Sequence, residues 1–159
     1  MLGVGAALAC GGCAQDLAKA VVRFDQTGRA EVGPFAPATL RLHPLTRLGR
    51  DDQGRAMIVC HIELADRWGD TTKGIGQLAV QLYRPVGVAG QSARQEASWD
   101  IDLTDLELNA SLYDPVTRTY RVQLGGLPGW VDGVIEGSSG GPHGVIVRVA
   151  LTTWLADGG

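Results

Sequence analysis

The sequence predicts an all-β fold, a single antiparallel β-sandwich of about six to eight strands. Three observations point there. Apolar residues recur at every second position in run after run, clusters of Gly, Pro and Asp separate those runs, and no stretch of helical period is long enough to build a core from helices. At 159 residues and 45% hydrophobic content the chain suits one domain with one buried core.

The strands follow in order. TLRLH (39–43) runs into Pro44, which restrains the residue before it to an extended shape. AMIVCHIELAD (56–66) sets Ile58, Cys60, Ile62 and Leu64 on one face and Met57, Val59, His61 and Glu63 on the other. QLAVQLYR (77–84) alternates Leu78, Val80 and Leu82 with Gln77, Ala79 and Gln81. Residues 98–103 turn Trp99, Ile101 and Leu103 inward and Asp100 and Asp102 outward, and residues 119–124 do the same with Tyr120, Val122 and Leu124. The longest run, 144–154, opposes Val145, Val147, Val149 and Leu151 to Ile146, Arg148, Ala150 and Thr152. GRDDQG (49–54), residues 66–76 and 85–90, and Asp114-Pro115 supply the turns. Helix-friendly residues are confined to 15–22, a stretch too short for a core helix. The expected organisation is a signal remnant at 1–13, a tether at 14–37 and the sandwich at 38–155.

A net charge of -3 and a pI near 5.5, with arginines scattered along the chain, argue against nucleic acid as a partner. The start, MLGVGAALACGGCAQD, carries an apolar run over 2–9. That is short of the ~20 residues of a membrane span but fits the apolar region of a secretion signal. Ala-Leu-Ala-Cys and Cys-Gly-Gly-Cys-Ala resemble the bacterial lipobox. The resemblance implies lipidation at Cys10 or Cys13, a membrane reached through that anchor, and a place in the cell envelope facing the periplasm or exterior. Cys60, inside an apolar strand, reads as a small buried hydrophobe with no bridge required.

Candidate sites fall mostly in loops. ADRWGDTTKGIG (65–76) brings Asp66 near Asp70, and Asp114 adds a third carboxylate from a later turn; calcium takes such oxygen ligands from loops. Calcium is therefore the one cofactor to weigh, against a plain turn in which Asp66 and Gly69 serve the backbone. Trp68, Lys73 and Trp130 form the candidate binding surface, because loop tryptophans act as sugar platforms or protein hot spots, whereas Trp99 and Trp154 belong to strand patterns. His43, His61 and His143 come from three distant segments without metal-ligand spacing. GSSGGPHG (137–144) resembles the nucleophile loop of serine proteases. Yet Ser138 precedes Ser139 where that family has Asp, His43 stands in His-Pro-Leu-Thr, and 20 residues after Ser139 are too few for a substrate pocket wall. No catalytic residue is expected.

IVCHIELADRWGDTTKGIGQLAVQLYRP, with LRLHPLTRL before it and DPVTRTYRVQL after it, resembles a group of uncharacterised bacterial envelope lipoproteins. Its strand, D-x-x-G-D-x-x-K loop and strand are also similar to transthyretin-like, macroglobulin-like and C2-like sandwiches. The resemblance spans residues 39–155 and implies an immunoglobulin-, transthyretin- or C2-like sandwich with no catalytic residues to carry over. The function expected is a non-catalytic, envelope-anchored binding or scaffolding module whose partner is another envelope protein or a glycan. The alternative is a calcium-dependent C2-like module that binds lipid or protein.

Overall fold

A computed structural model describes residues 19–20, 23–24, 35–85, 93–137 and 144–153. In chain order the elements are β1 (Lys19–Ala20), β2 (Arg23–Phe24), β3 (Thr39–Leu42), β4 (Arg47–Arg50), β5 (Ala56–Ala65), β6 (Gln77–Arg84), β7 (Arg94–Asp102), α1 (Leu106–Leu112), β8 (Tyr113–Asp114), β9 (Thr119–Leu124), α2 (Trp130–Ile135) and β10 (Ile146–Thr153). One sheet runs β10-β6-β7, all antiparallel, with β1 and β2 added in parallel on the far side of β10. The other runs β5-β9-β8, with β3 and β4 both antiparallel to the outer side of β5. The fold is an all-β sandwich, and β3 to β10 supply eight strands.

The predicted inward residues form its core. Ile58, Cys60, Ile62 and Leu64 of β5 join Leu78, Val80 and Leu82 of β6, Tyr120, Val122 and Leu124 of β9, and Val147, Val149 and Leu151 of β10 in one buried cluster. Each such aliphatic side chain taken out of water contributes about 1.5–3 kcal/mol. Val59 and His61, predicted to point outward, are buried as well. Part of the cause lies in the edge strand beside them. Leu42 pairs with Ile62 and Arg47 with Val59, so the four residues 43–46 stand opposite two, Cys60 and His61. This bulge begins at Pro44, and its Thr46 hydroxyl donates to the His61 carbonyl and accepts from the His61 amide.

Three expectations are amended. Within the segment read as a tether, Lys19–Ala20 and Arg23–Phe24 are extended and paired with β10, because an open strand edge offers backbone partners that outweigh weak helix propensity. Two short helices also appear where none was expected. α1 starts at Asp105, whose carboxylate accepts from the Glu107 and Leu108 amides. α2 follows Pro128-Gly129. The final strand begins at Ile146 rather than at residue 144. Cys10, Cys13, Ser139, His143 and Trp154 lie outside the described residues.

Strand direction gives the sandwich two distinct ends. Residues 35–38, 66–76, α1 and the 115–118 turn collect where β5 finishes; the 51–55 turn, residues 125–129 and α2 collect where β9 finishes.

Candidate functional site

The loop after β5 is fixed from within and from below. The Asp66 carboxylate, buried, accepts from the Trp68 amide at 2.9 Å and the Asp70 amide at 3.0 Å. Gly69 takes the positive φ of 88° that closes this turn. Further along, the Gly74 amide donates to the Tyr120 hydroxyl at 3.0 Å, which donates in turn to Asn109 Oδ1 at 2.9 Å. Asn109 Nδ2 donates to the carbonyls of Gly74, at 2.7 Å, and Leu103, at 2.8 Å. Burial pushes the Tyr120 phenol up, which keeps it a donor. Strand β9, helix α1 and the loop are thus tied through one buried network. Loops held this way present side chains at small entropic cost on binding.

On this support stands an apolar surface. Trp68 is 60% exposed and leans on Phe35, with ring centroids 5.8 Å apart. The Arg67 guanidinium lies 5.2 Å from the centre of the Trp68 ring, and Lys73 Nζ lies 4.6 Å from that of Tyr113. Ile75, Leu106, Leu108 and Val116 are exposed at the same end of the sandwich. Among the described residues, Leu45 is the one exposed large hydrophobic side chain outside this end. Scattered exposed apolar residues are ordinary; collected at one end, they make that end the candidate binding surface.

The predicted candidates separate. Trp68 and Lys73 share the end just described. Trp130 stands at the opposite end on α2, half-buried against the core, with the Arg84 guanidinium 5.5 Å from its ring centre. The three do not make one surface. Beside α2 lies a cleft of about 590 Å³ lined by Arg50, Asp51, Arg55, Leu127 and Asp132 among others. Its arginines are already engaged: Arg50 bonds Asp132 at 2.7 Å and Glu136 at 2.9 Å, and Arg55 bonds Asp51 at 2.8 Å. An anionic ligand would have to displace these carboxylates.

Two of the three calcium candidates are spent on backbone. Asp66 closes its own loop, and the Asp114 carboxylate accepts from the Val116 amide at 2.9 Å and the Thr117 amide at 3.4 Å. Among the described residues no three His, Cys, Asp or Glu side chains gather as a metal-ligand set, so Asp66, Asp70 and Asp114 are not brought together as one.

Two of the histidines do meet. The His43 amide donates to the His61 carbonyl at 2.7 Å, and the His61 ring bonds the Thr119 hydroxyl at 2.9 Å through Nδ1. Burial, then the charges of Arg121, His43 and Arg47, hold the His61 pKa below its ordinary 6.5 against the opposing pull of Asp114. Folding therefore favours the neutral ring. The unfolded chain binds the extra proton first, so this contribution is complete above about pH 6.5 and is lost as pH falls through the depressed folded value. His61→Asn is expected to flatten the dependence of melting temperature on pH between about 5 and 7. Asp51, Asp102 and Asp114, lowered by backbone and side-chain hydrogen bonds, act below about pH 4 and leave that window clear. An unchanged slope in the variant would count against the assignment. Burial likewise pushes the Cys60 thiol up to about 12, leaving almost no thiolate at neutral pH.

Comparison with protein-family models, with curated proteins and with solved structures finds no match to this chain.

Proposed function

We propose that the chain is a non-catalytic, envelope-anchored β-sandwich that holds a protein partner at the end carrying Trp68. The supporting observation is the placing of Phe35, Trp68, Ile75, Leu106, Leu108 and Val116 at that end, with Trp68 and Ile75 on a loop held by the Asn109 and Tyr120 hydrogen bonds. An exposed tryptophan with apolar side chains at the same end of the domain is the composition of a protein hot spot. A sugar platform instead needs an open ring face with hydrogen-bonding groups around it; here Phe35 and Arg67 flank Trp68. This favours a protein over a glycan. The anchoring part of the proposal rests on the lipobox-like residues before Cys10 and Cys13. The test is photo-cross-linking from position 75 in the membrane fraction, where a discrete adduct that Trp68→Ala removes is expected.

A further inference from the structure

Strand β7 (Arg94–Asp102) pairs with β6 along one side, and among the described residues no strand lies along its other side. The second sheet finishes instead in the two-residue β8. Among the described residues β7 is thus a long open edge, with a row of backbone N–H and C=O groups left for another chain.

Its side chains specify what could pair there. A register shift between Leu82 and Tyr83 sets the regular part of β7 at residues 97–102. Ser98, Asp100 and Asp102 stand exposed on the outer face, while Ala97, Trp99 and Ile101 are half-buried against the core. Across on β6 the outer residues are Gln81, Ala79 and Gln77, so no cation answers the two carboxylates. Asp102 accepts from the Thr104 amide and hydroxyl, and among the described residues Asp100 carries no ion pair. The open edge is acidic on one face and apolar on the other.

We infer that β7 accepts an extended segment of a partner protein by strand addition, with lysine or arginine at alternate positions and apolar residues between them. Its backbone would complete the edge, its basic side chains would lie over Asp100 and Asp102, and its apolar side chains would extend the cover on Trp99 and Ile101. A second copy of this chain fits less well. Antiparallel self-pairing centred on Asp100 sets that carboxylate against its own copy, and pairing centred on Trp99 sets Asp102 against Glu96. The edge runs along the side of the sandwich and finishes at Asp102, towards the end that carries Trp68.

Calorimetric titration of the full chain with an acetylated Val-Lys-Val-Lys-Val-Lys peptide tests this. Binding is expected for that peptide and not for its Val-Glu counterpart. N-methylation of all its valines or of all its lysines should abolish binding in one of the two cases, since alternate amides face the edge. Asp100→Lys should weaken binding by roughly tenfold or more and admit the Val-Glu peptide, while Trp68→Ala leaves affinity unchanged. Full affinity in both N-methylated peptides would mean charge adsorption alone and overturn the inference. So would absence of binding, or a dimer in sedimentation that Asp100→Lys alters.

Discussion

Asn109→Ala is expected to destabilise the domain by about 3 kcal/mol, an effect well above that of an ordinary surface substitution. The side chain is buried and joins three groups: the carbonyls of Gly74 and Leu103 and the hydroxyl of Tyr120, of which Gly74 and Tyr120 keep only a longer contact of 3.3 Å with each other. Its removal leaves buried polar atoms without these partners, and each such atom costs about 1–3 kcal/mol unless water reaches it. Tyr120→Phe removes one hydroxyl, takes a partner from the Gly74 amide and from Asn109 Oδ1, and should cost about 2 kcal/mol. The two variants also differ in reach, because Asn109 meets only the carbonyl of Gly74 while the Tyr120 hydroxyl meets both its amide, at 3.0 Å, and its carbonyl, at 3.3 Å. Urea denaturation reads the stability, and hydrogen exchange at the Gly74 amide reads the loop. An Asn109→Ala variant as stable as the parent, with Gly74 still protected, would remove the support assigned to the Trp68 surface.

Gly76→Ala is expected to cost on the order of 3 kcal/mol as well, by a different route. Gly76 sits at φ +149°, and a Cβ there would collide with the carbonyl oxygen of Thr152 in the backbone of β10. A backbone atom cannot rotate away as a side chain does. Either β10 shifts and loses the pairing of Gln77 with Thr152, or the loop shifts and loses the bond from the Leu103 amide to the Gly76 carbonyl. Gly69 supplies the control. Its φ is +88° but nothing lies within 4 Å of a built Cβ, so Gly69→Ala should carry only the conformational cost of about 1 kcal/mol. Equal urea midpoints for the two variants would show that the close approach to β10 is not what fixes Gly76.

These two sites show what the sequence could and could not reveal. Alternation in AMIVCHIELAD, QLAVQLYR and TYRVQL was sufficient to name the core because a sheet face is a local, period-two property of the chain. The Asn109 network was not legible, since its members at 74, 103, 109 and 120 meet only when four separate segments are in place. α1 did leave a signal in Asp105 before Leu-Glu-Leu, an N-cap ahead of good helix formers, which a short helix makes easy to pass over. The candidate surface was half legible. Trp68 and Trp130 both follow strong strands, but β5 and β9 are antiparallel neighbours, so the loops after them must leave from opposite ends. Phe35, Leu106 and Val116 join Trp68 only through that same geometry.

The docking claim at the Trp68 end is tested most directly by carrying a photoreactive residue at position 75 into the native membrane fraction, beside a control with the probe at Ala79 on the outer face of β6. The account predicts one discrete protein adduct from position 75, none of the same mass from position 79, and loss of the adduct in Trp68→Ala with the melting temperature unchanged. No adduct at position 75, or equal adducts from both positions that persist in Trp68→Ala, would contradict it.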